Sequence, residues 1–173
     1  MRKVILQVAV SLDGYIEDAE GKFDWCFMDD DYGMIEYMKR IDSIVMGRKT
    51  YELVLTLGGQ TMPGFPKVNE YIVSTTLLKL EGERILVNGN IDEFITDLKQ
   101  QPGKDIWLFG GASLTTYFMN HGYVDEIELA VHPILLGSGK PLFQNIDKRI
   151  KLNLLKSKPY PSGLIMLSYA VAQ

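Results

Sequence analysis

The stretch SIVMGRKTYELVLTL, residues 43–57, runs from a buried strand straight into a helix and decides the fold of the chain. Its first part, SIVMG at 43–47, is short and almost wholly apolar, as in a strand covered on both faces of a parallel sheet. The second part, RKTYELVLTL at 48–57, follows Gly47 with no linker and predicts a helix. A strand that leads directly into a helix is the repeating unit of an α/β fold.

The same alternation continues on both sides of this stretch. VILQVAV, residues 4–10, has the composition of a central parallel strand. DDDYGMIEYMKRI, residues 29–41, predicts a helix, because apolar residues recur at helical spacing after three acids. Further strands are predicted at YIVST (71–75), RILV (84–87), DIWLFGG (105–111) and DEIELAVHPIL (125–135), and helices at IDEFITDLKQQ (91–101) and ASLTTYFMNHG (112–122). Asp92 is expected to cap the first of these two helices and Gly122 to close the second.

The last part of the chain has a different pattern. KLNLLKSK (151–158) and GLIMLSYAVA (163–172) are strand-like, and only the turn PYPSG separates them, so they predict an antiparallel hairpin. We therefore expect an α/β fold with an open, mostly parallel sheet, helices on both faces and an antiparallel C-terminal hairpin. The 173 residues are enough for one core, and we expect residues 1–173 to form a single domain. The long loop SLDGYIEDAEGKFDW (11–25) is the first candidate for a substrate lid.

Composition excludes several classes of function. The formal net charge of −4 argues against a general binder of nucleic acid or of anionic membranes. One cysteine, Cys26, allows no disulfide within the chain, which favours a soluble protein of the reducing cytoplasm. The first apolar run is too short to cross a bilayer. With two histidines and one cysteine in no ligand-like spacing, no metal site is expected.

Small and polar residues follow three of the predicted strands. They are Gly47, Arg48, Lys49 and Thr50; Ser74, Thr75 and Thr76; and Gly110, Gly111, Ala112 and Ser113. Ligands of open α/β sheets bind beyond the carboxyl ends of the strands, where free N–H groups at helix N-termini favour phosphate. Each group alone is also typical of a strand end, a helix cap or a tight turn. Together they indicate a dinucleotide with an extra phosphate, although neither GxGxxG nor a P-loop occurs.

A resemblance to a known family covers essentially the whole chain. The segments that carry it are, in order, VAVSLDGYIED (8–18), FDW (23–25), IVMGRKTYE (44–52), IVST (72–75), LFGGASL (108–114) and HPILLGSGKPLF (132–143). They resemble the reductase domains of riboflavin biosynthesis, the RibD C-terminal-like family, within the dihydrofolate-reductase fold. The resemblance implies an NADPH-dependent reductase of a small pyrimidine or pteridine ring.

The resemblance also implies roles for the residues at the strand ends. Arg48, with Ser74, Thr75 or Thr76, would lie near the 2′-phosphate of NADPH, which agrees with the preference of a guanidinium for a phosphate dianion. The glycine pair at 110 and 111 would face the pyrophosphate together with Ala112, Ser113 and Leu114. Ala9, at the end of the first strand, would lie beside the nicotinamide.

An acid near the first helix is expected to assist protonation of the substrate. By similarity to dihydrofolate reductases this acid is Asp30 or Asp31, whereas the residues alone favour helix caps. Asp13 is a second polar candidate at the mouth of the site, although an Asp-Gly pair is also an ordinary turn signal. Tyr15 and Trp25 are candidates for stacking on a flat ring, the alternative being burial against the core.

The resemblance departs from the family pattern at Phe109, where dedicated pyrimidine reductases tend to carry glutamate. The Pro-Trp pair common in dihydrofolate reductases is also missing from the loop at 11–25. We therefore expect a paralogue with its own heterocyclic substrate, with a dihydrofolate reductase and a non-catalytic NADP(H)-binding protein as alternatives. The apolar terminal strands, including Leu164, Ile165, Met166 and Leu167, predict a homodimer, as in relatives that pair through this region.

Overall fold

Residues 1–61 and 64–172 are described in the computed structural model, and they form ten strands and four helices. The strands are β1 Val4–Ser11, β2 Tyr15–Glu17, β3 Ile41–Gly47, β4 Asn69–Val73, β5 Ile85–Val87, β6 Asp105–Gly110, β7 Glu126–His132, β8 Lys140–Pro141, β9 Leu152–Pro159 and β10 Ile165–Val171. The helices are α1 Met34–Arg40, α2 Arg48–Thr56, α3 Ile91–Gln100 and α4 Ala112–Asn120.

The main sheet has eight strands in the order β5-β4-β3-β6-β1-β7-β10-β9. Neighbouring strands from β5 to β7 run parallel, while β10 is antiparallel to both β7 and β9. The expected α/β fold, with a mostly parallel sheet and a C-terminal hairpin, is thereby confirmed. Strand β1 lies between β6 and β7, so its apolar sequence is explained by cover on every side.

Helices cover both faces of the sheet. Successive residues of β1 point to opposite faces, and Leu6 packs in one apolar cluster with residues of α3 and α4. Ile5 packs in a second cluster with residues of α1 and α2. Helix α2, which follows β3, and α4, which follows β6, therefore leave neighbouring strands toward opposite faces of the sheet.

The first helix is shorter than the sequence predicted. The helix expected over residues 29–41 begins only at Met34, because the backbone before it is left-handed at Tyr32 (φ 48°) and at Gly33 (φ 89°). The three acids therefore lie in a loop before the helix. The apolar periodicity was also misleading at Ile35, whose side chain is 56% exposed.

The ends of α3 and α4 test two predicted caps. Asp92 was wrong as the cap of α3, because the Asn90 side chain accepts the N–H bonds of residues 92 and 93. Asp92 lies inside the helix, where its carboxylate accepts a 2.6 Å hydrogen bond from Tyr117 Oη. Gly122 is confirmed as the end of α4. It is left-handed (φ 71°) and donates its N–H to the carbonyl of Met119, as expected of a glycine that closes a helix.

The loop at 11–25 contains a strand that was not predicted. Residues 15–17 form β2, which pairs antiparallel with β8 in a separate two-stranded sheet. An ion pair between Glu17 and Lys140 joins the two strands. Both strands are very short and their partners are far apart in the sequence, so neither gives a periodic signal. The pairing fastens the candidate lid to the loop that follows β7.

Apolar side chains remain exposed at the hairpin edge of the sheet. Leu152, Leu154 and Leu155 of β9 are 41%, 59% and 54% exposed, and Ile165 of β10 is 41% exposed. Leu164, which the sequence placed in the same apolar excess, is 1% exposed and belongs to the core. At the hairpin edge, the exposed apolar surface therefore consists of the leucines of β9 and of Ile165 in β10.

Gly139→Ala tests how tightly the loop after β7 is held. A Cβ at this position would lie 2.1 Å from the carbonyl oxygen of Glu17, in a backbone conformation (φ 135°) that favours glycine. We expect a loss of about 2 kcal/mol or more in the free energy of unfolding, because the two strands of the small sheet must separate. Urea unfolding followed by circular dichroism measures the loss.

Gly137→Ala is the matched control. Its φ is also positive (72°), but no heavy atom lies within 4 Å of a new Cβ, so only the backbone cost of about 1 kcal/mol is expected. Equal losses in the two variants would contradict the close packing of Gly139 on β2.

Candidate cofactor and substrate site

The three strand ends singled out in the sequence are neighbours in the structure. Strands β4, β3 and β6 are adjacent, and Gly47 lies beside Val73 of β4 while Met46 lies beside Gly110 of β6. A Cβ built on Gly111 would lie 3.3 Å from Thr50 Oγ1, so the first turn of α2 contacts the glycine pair before α4. The N-termini of α2 and α4 thus meet at one point and diverge from it, which is where open α/β sheets bind ligands.

Both of these helix N-termini are free of side-chain caps. Among the described residues, no side chain hydrogen-bonds the first N–H groups of α2 or α4, and neither first turn contains an acid. Helix α3 has the opposite arrangement, with an Asn90 cap and two acids in its first turn. The N–H groups and the helix dipoles of α2 and α4 together make this junction suitable for an anion.

Glycine gives the junction its shape. Gly110 has a φ of 103°, which favours glycine, and a side chain on Gly111 would press against α2. Ala112 and Leu114 are buried, and their side chains belong to the core, whereas Ser113 is exposed. The Thr115 hydroxyl is fully buried near Gly110 and has no hydrogen-bond partner among the described residues. Backbone N–H groups are therefore what the turn offers to a ligand.

The cations and hydroxyls beside the junction are not equally available. Arg48 pairs with Glu52 at 2.8 Å, one turn along the exposed side of α2, and Lys49 is exposed. Ser74 is buried, and its hydroxyl accepts the N–H groups of Thr76 and of residue 77 at 3.2 and 3.1 Å. Ser74 therefore shapes the turn after β4, while the exposed Thr75 and Thr76 present hydroxyls to solvent.

Strand β1 places Ala9 and Ser11 on the same face of the sheet as α1. Ala9 is partly exposed and pairs with Ala130, and Ser11 pairs with His132 at the carboxyl end of β7. Ser11 and His132 are both buried, so Ala9 is the more accessible side chain at this strand end.

A cavity of about 340 Å³ lies at this end of the sheet. Its walls are the segment between the small sheet and α1 and the residues that follow β7, namely Asp24, Trp25, Cys26, Phe27, His132, Pro133 and Ile134. The rings of Trp25 and His132 meet edge to face, with their centroids 5.3 Å apart. The centroid of the Phe27 ring lies 5.0 Å from that of the imidazole. Trp25 therefore lies in a cavity wall, and its stacking on a flat ring stays a prediction. The sequence did not single out His132 for this wall.

Burial changes the chemistry of the one thiol in this wall. It raises the pKa of Cys26 to about 11, and the negative charge of Asp24 acts in the same direction. Because the thiolate is the nucleophile, the raised pKa lowers the reactivity of this thiol at neutral pH.

The acids proposed for catalysis are exposed in the loop before α1. Both oxygens of Asp31 accept hydrogen bonds, from the N–H groups of Gly33 (2.9 Å) and Ile35 (2.7 Å). Asp30 accepts one, from the N–H of Asp31 at 2.7 Å. Asp31 therefore orders the start of α1, and the carboxylate of Asp30 is less engaged.

Asp13 and Tyr15 are held in the loop that carries the small sheet. The Asp13 carboxylate accepts hydrogen bonds from Ser11 Oγ (2.6 Å) and from the N–H groups of residues 136 and 137. The Ser11 hydroxyl in particular lowers the pKa of Asp13. Tyr15 is partly buried in β2 and donates its N–H to Ser11 Oγ at 2.9 Å. Both residues thus tie loops together beside the end of β1.

Two further findings concern the part of the chain that the structure describes. No group of three or more histidine, cysteine, aspartate or glutamate side chains there is arranged to hold a metal ion. None of its helices has the length and the apolar content needed to cross a membrane.

The fold is shared with proteins of known structure. A putative riboflavin biosynthesis protein from Shewanella sp. PV-4 has a TM-score of 0.87 and 30% identity, over 99% of each chain. Dihydrofolate reductase from Enterococcus faecalis, complexed with NADP(H), has a TM-score of 0.75 at 15% identity, over 99% of this chain and 97% of that chain. The second likeness shows a common fold.

Sequence relatives and a family model agree with this likeness. YyaP, an uncharacterized protein of Bacillus subtilis, is 40% identical over 97% of this chain and 94% of its own. YwjB of the same organism is 35% identical over 99% of both chains. The model of the RibD C-terminal domain matches residues 2–166, and since that match spans nearly the whole sequence, the chain belongs to the RibD C-terminal domain family.

Proposed function

We propose that the protein is an NADPH-dependent reductase that transfers a hydride to a small heterocycle of pyrimidine or pteridine type. The observation that carries the proposal is the junction of two uncapped, acid-free helix N-termini at Gly47 and Gly111. Such a junction offers several N–H donors to a pyrophosphate. Membership of a family named after a riboflavin-pathway protein supports the reductase chemistry.

Each part of the cofactor has a matching group on the chain. The pyrophosphate would accept hydrogen bonds from the first turns of α2 and α4, and the 2′-phosphate would lie by Arg48 with Thr75 and Thr76. Arg48 then exchanges its bond to Glu52 for one to a phosphate dianion, which binds a guanidinium more strongly. Ala9 is small enough for a flat nicotinamide to lie on the end of β1. The bound cofactor supplies the hydride.

The substrate would occupy the cavity between the Trp25 segment and the end of β7, where the wall residue His132 pairs with Ser11 at the end of β1. Of the two acids in the α1 loop, Asp30 is the better proton donor, because its carboxylate accepts one backbone hydrogen bond whereas that of Asp31 accepts two. General acid catalysis needs a carboxyl free to reach the reacting atom. We propose that Asp31 positions the loop.

Turnover and binding are tested on the purified protein. NADPH should raise the melting temperature, and a panel of pyrimidines, pteridines and dihydrofolate should include a ring that speeds the loss of reduced-nicotinamide absorbance. Stabilisation without turnover would favour the non-catalytic alternative. If NADPH neither stabilises the protein nor is oxidised with any ring of the panel, the proposal is overturned.

Arg48→Ala tests recognition of the 2′-phosphate. Loss of a charge-assisted hydrogen bond of about 1.5–3 kcal/mol should weaken NADPH binding roughly 10- to 100-fold and leave NADH binding unchanged. Isothermal titration with both cofactors measures the difference. Lys49→Ala, the exposed neighbour, is the control with an expected change below about threefold. Equal losses for NADPH and NADH would exclude the 2′-phosphate as the partner of Arg48.

Gly111→Ala tests the junction itself. The new Cβ would stand 3.3 Å from Thr50 Oγ1 and push apart the two helix N-termini, so NADPH affinity should fall by about tenfold or more. Gly89→Ala is the matched control, because a Cβ there has nothing within 4 Å and the backbone is not left-handed. Titration calorimetry measures the NADPH affinity of both variants. An unchanged NADPH affinity in Gly111→Ala would place the pyrophosphate elsewhere.

Asp30→Ala and Asp31→Ala separate chemistry from structure in the α1 loop. Asp30→Ala should lower kcat by about 100-fold with little change in melting temperature. Asp31→Ala should cost about 1 kcal/mol of stability, as the loss of a helix-start acceptor does. Steady-state kinetics and thermal unfolding are the measurements. Full activity in both variants would show that neither acid assists protonation.

We also propose a homodimer that covers the exposed apolar residues of β9. Leu154→Lys, at a side chain that is 59% exposed, should then give a monomer in light scattering after size exclusion. A monomeric unmodified protein would refute the dimer and leave the reductase proposal untouched.

A further inference from the structure

His132 is a buried histidine in contact with the segment that forms the cavity wall. It ends β7 and is 2% exposed. Its Nδ1 lies 2.9 Å from the carbonyl oxygen of Ala130, and its Nε2 lies 3.0 Å from the backbone nitrogen of Phe27. Residues 27 and 132 are 105 positions apart, so the second hydrogen bond is a tertiary contact.

The two partners of the imidazole fix its protonation state. A carbonyl oxygen only accepts, so Nδ1 must carry a hydrogen and donate it. A backbone N–H only donates, so Nε2 must be unprotonated and accept it. The neutral Nδ1–H tautomer alone satisfies both bonds, and a proton on Nε2 removes the bond to Phe27.

This hydrogen bond holds the wall of the cavity. The N–H of Phe27 belongs to the segment in which Trp25 and Cys26 precede it, and both of their side chains line the cavity together with His132. Within the same segment, Cys26 N donates to the carbonyl of Phe23 at 3.1 Å. The imidazole acceptor and the two ring contacts at 5.3 and 5.0 Å therefore join the wall to the end of β7.

We propose that His132 is a positioning residue that holds the Trp25 wall closed over the substrate cavity through its Nε2 bond to Phe27. The bond requires an unprotonated Nε2, because the backbone N–H of Phe27 can only donate. The importance of this wall for a ring substrate rests on the proposed reductase function. The closure itself is a property of the protein without any ligand.

The neighbourhood of His132 contains two other titratable groups in the cavity wall. These are Asp24 and Cys26, and burial together with Asp24 keeps Cys26 a neutral thiol through neutral pH. On the side of β1, the paired residue is Ser11, whose hydroxyl is bonded to the ionised Asp13. On the side of the hairpin, Gly163 packs on Pro133 and Leu164 is buried. Among these groups, the imidazole is the one that accepts the Phe27 N–H.

Two substitutions separate the two nitrogens of the ring. Glutamine extends to the position of Nε2, and its carbonyl oxygen can accept from Phe27. Asparagine reaches only the position of Nδ1, and it can donate to Ala130 but leaves Phe27 without an acceptor. If the bond to Phe27 closes the wall, His132→Gln should restore the closure that His132→Asn loses.

Alkylation of Cys26 measures the closure directly, because this is the one cysteine of the chain. In the absence of NADPH at pH about 7.5, His132→Asn should be alkylated by iodoacetamide at least about tenfold faster than the unmodified protein, the effect of losing a buried hydrogen bond. His132→Gln should stay within about threefold of it. Equal rates in all three proteins, or equally fast rates in both variants, would overturn the proposal.

Hydrogen exchange of the Phe27 amide needs no variant and remains informative if His132→Asn does not fold. In the unmodified protein this amide should exchange at least about tenfold more slowly than its intrinsic rate, as expected of a donor in a buried hydrogen bond. An amide that exchanges at its intrinsic rate would overturn the proposal. Failure of NADPH to bind would overturn the reductase proposal and leave these two measurements unaffected.

Discussion

The pairing of β3 with β6 is the contact on which the rest of the site depends. It places Gly47 beside the glycine pair before α4, so that two helices start at one point and pack on opposite faces of the sheet. Side chains on these glycines would fill the space between the helices. Because neither helix is capped by a side chain in the described structure, the polar groups at the junction remain available to a ligand.

A helix whose first N–H groups lack a side-chain cap is less stable, and α1 and α3 avoid this loss of stability. Helix α3 satisfies its first N–H groups with Asn90 and adds two acids, and α1 begins at the carboxylate of Asp31. Such caps are each worth about 1 kcal/mol. Their absence from α2 and α4, the two helices that meet, supports the proposal that an anion takes their place.

The opposite side of the site is organised around the ends of β1 and β7. Ser11 and Asp13 hold the loop after β7 through hydrogen bonds, the small sheet of β2 and β8 fastens the long loop, and His132 holds the Trp25 segment. A substrate ring in this cavity would contact residues from parts of the chain more than 100 positions apart. Local sequence patterns specify the strands and helices of the sheet. The site itself is assembled by tertiary contacts between distant parts of the chain.

The sequence predicts the parts of this protein that depend on local patterns. The apolar run of β1, the step from β3 into α2 and the glycine that closes α4 were all read correctly. The start of α1 was not, because two left-handed residues override the acidic signal. The strand β2 and the role of His132 depend on partners distant in the sequence. The Asp13 carboxylate likewise depends on distant partners, the N–H groups of residues 136 and 137. The Ser74 hydroxyl instead bonds locally in a turn, the alternative that its sequence already offered.

The most direct test of the proposed cofactor site at the junction of α2 and α4 is a titration of isotopically labelled protein with NADPH, followed by amide NMR. The N–H groups of Arg48 and Lys49 in α2 and of Ala112 and Ser113 in α4 should shift together and more than those at the capped start of α3. Shifts confined to one helix, or larger at the start of α3 than at the junction, would contradict the assignment of this junction as the cofactor site.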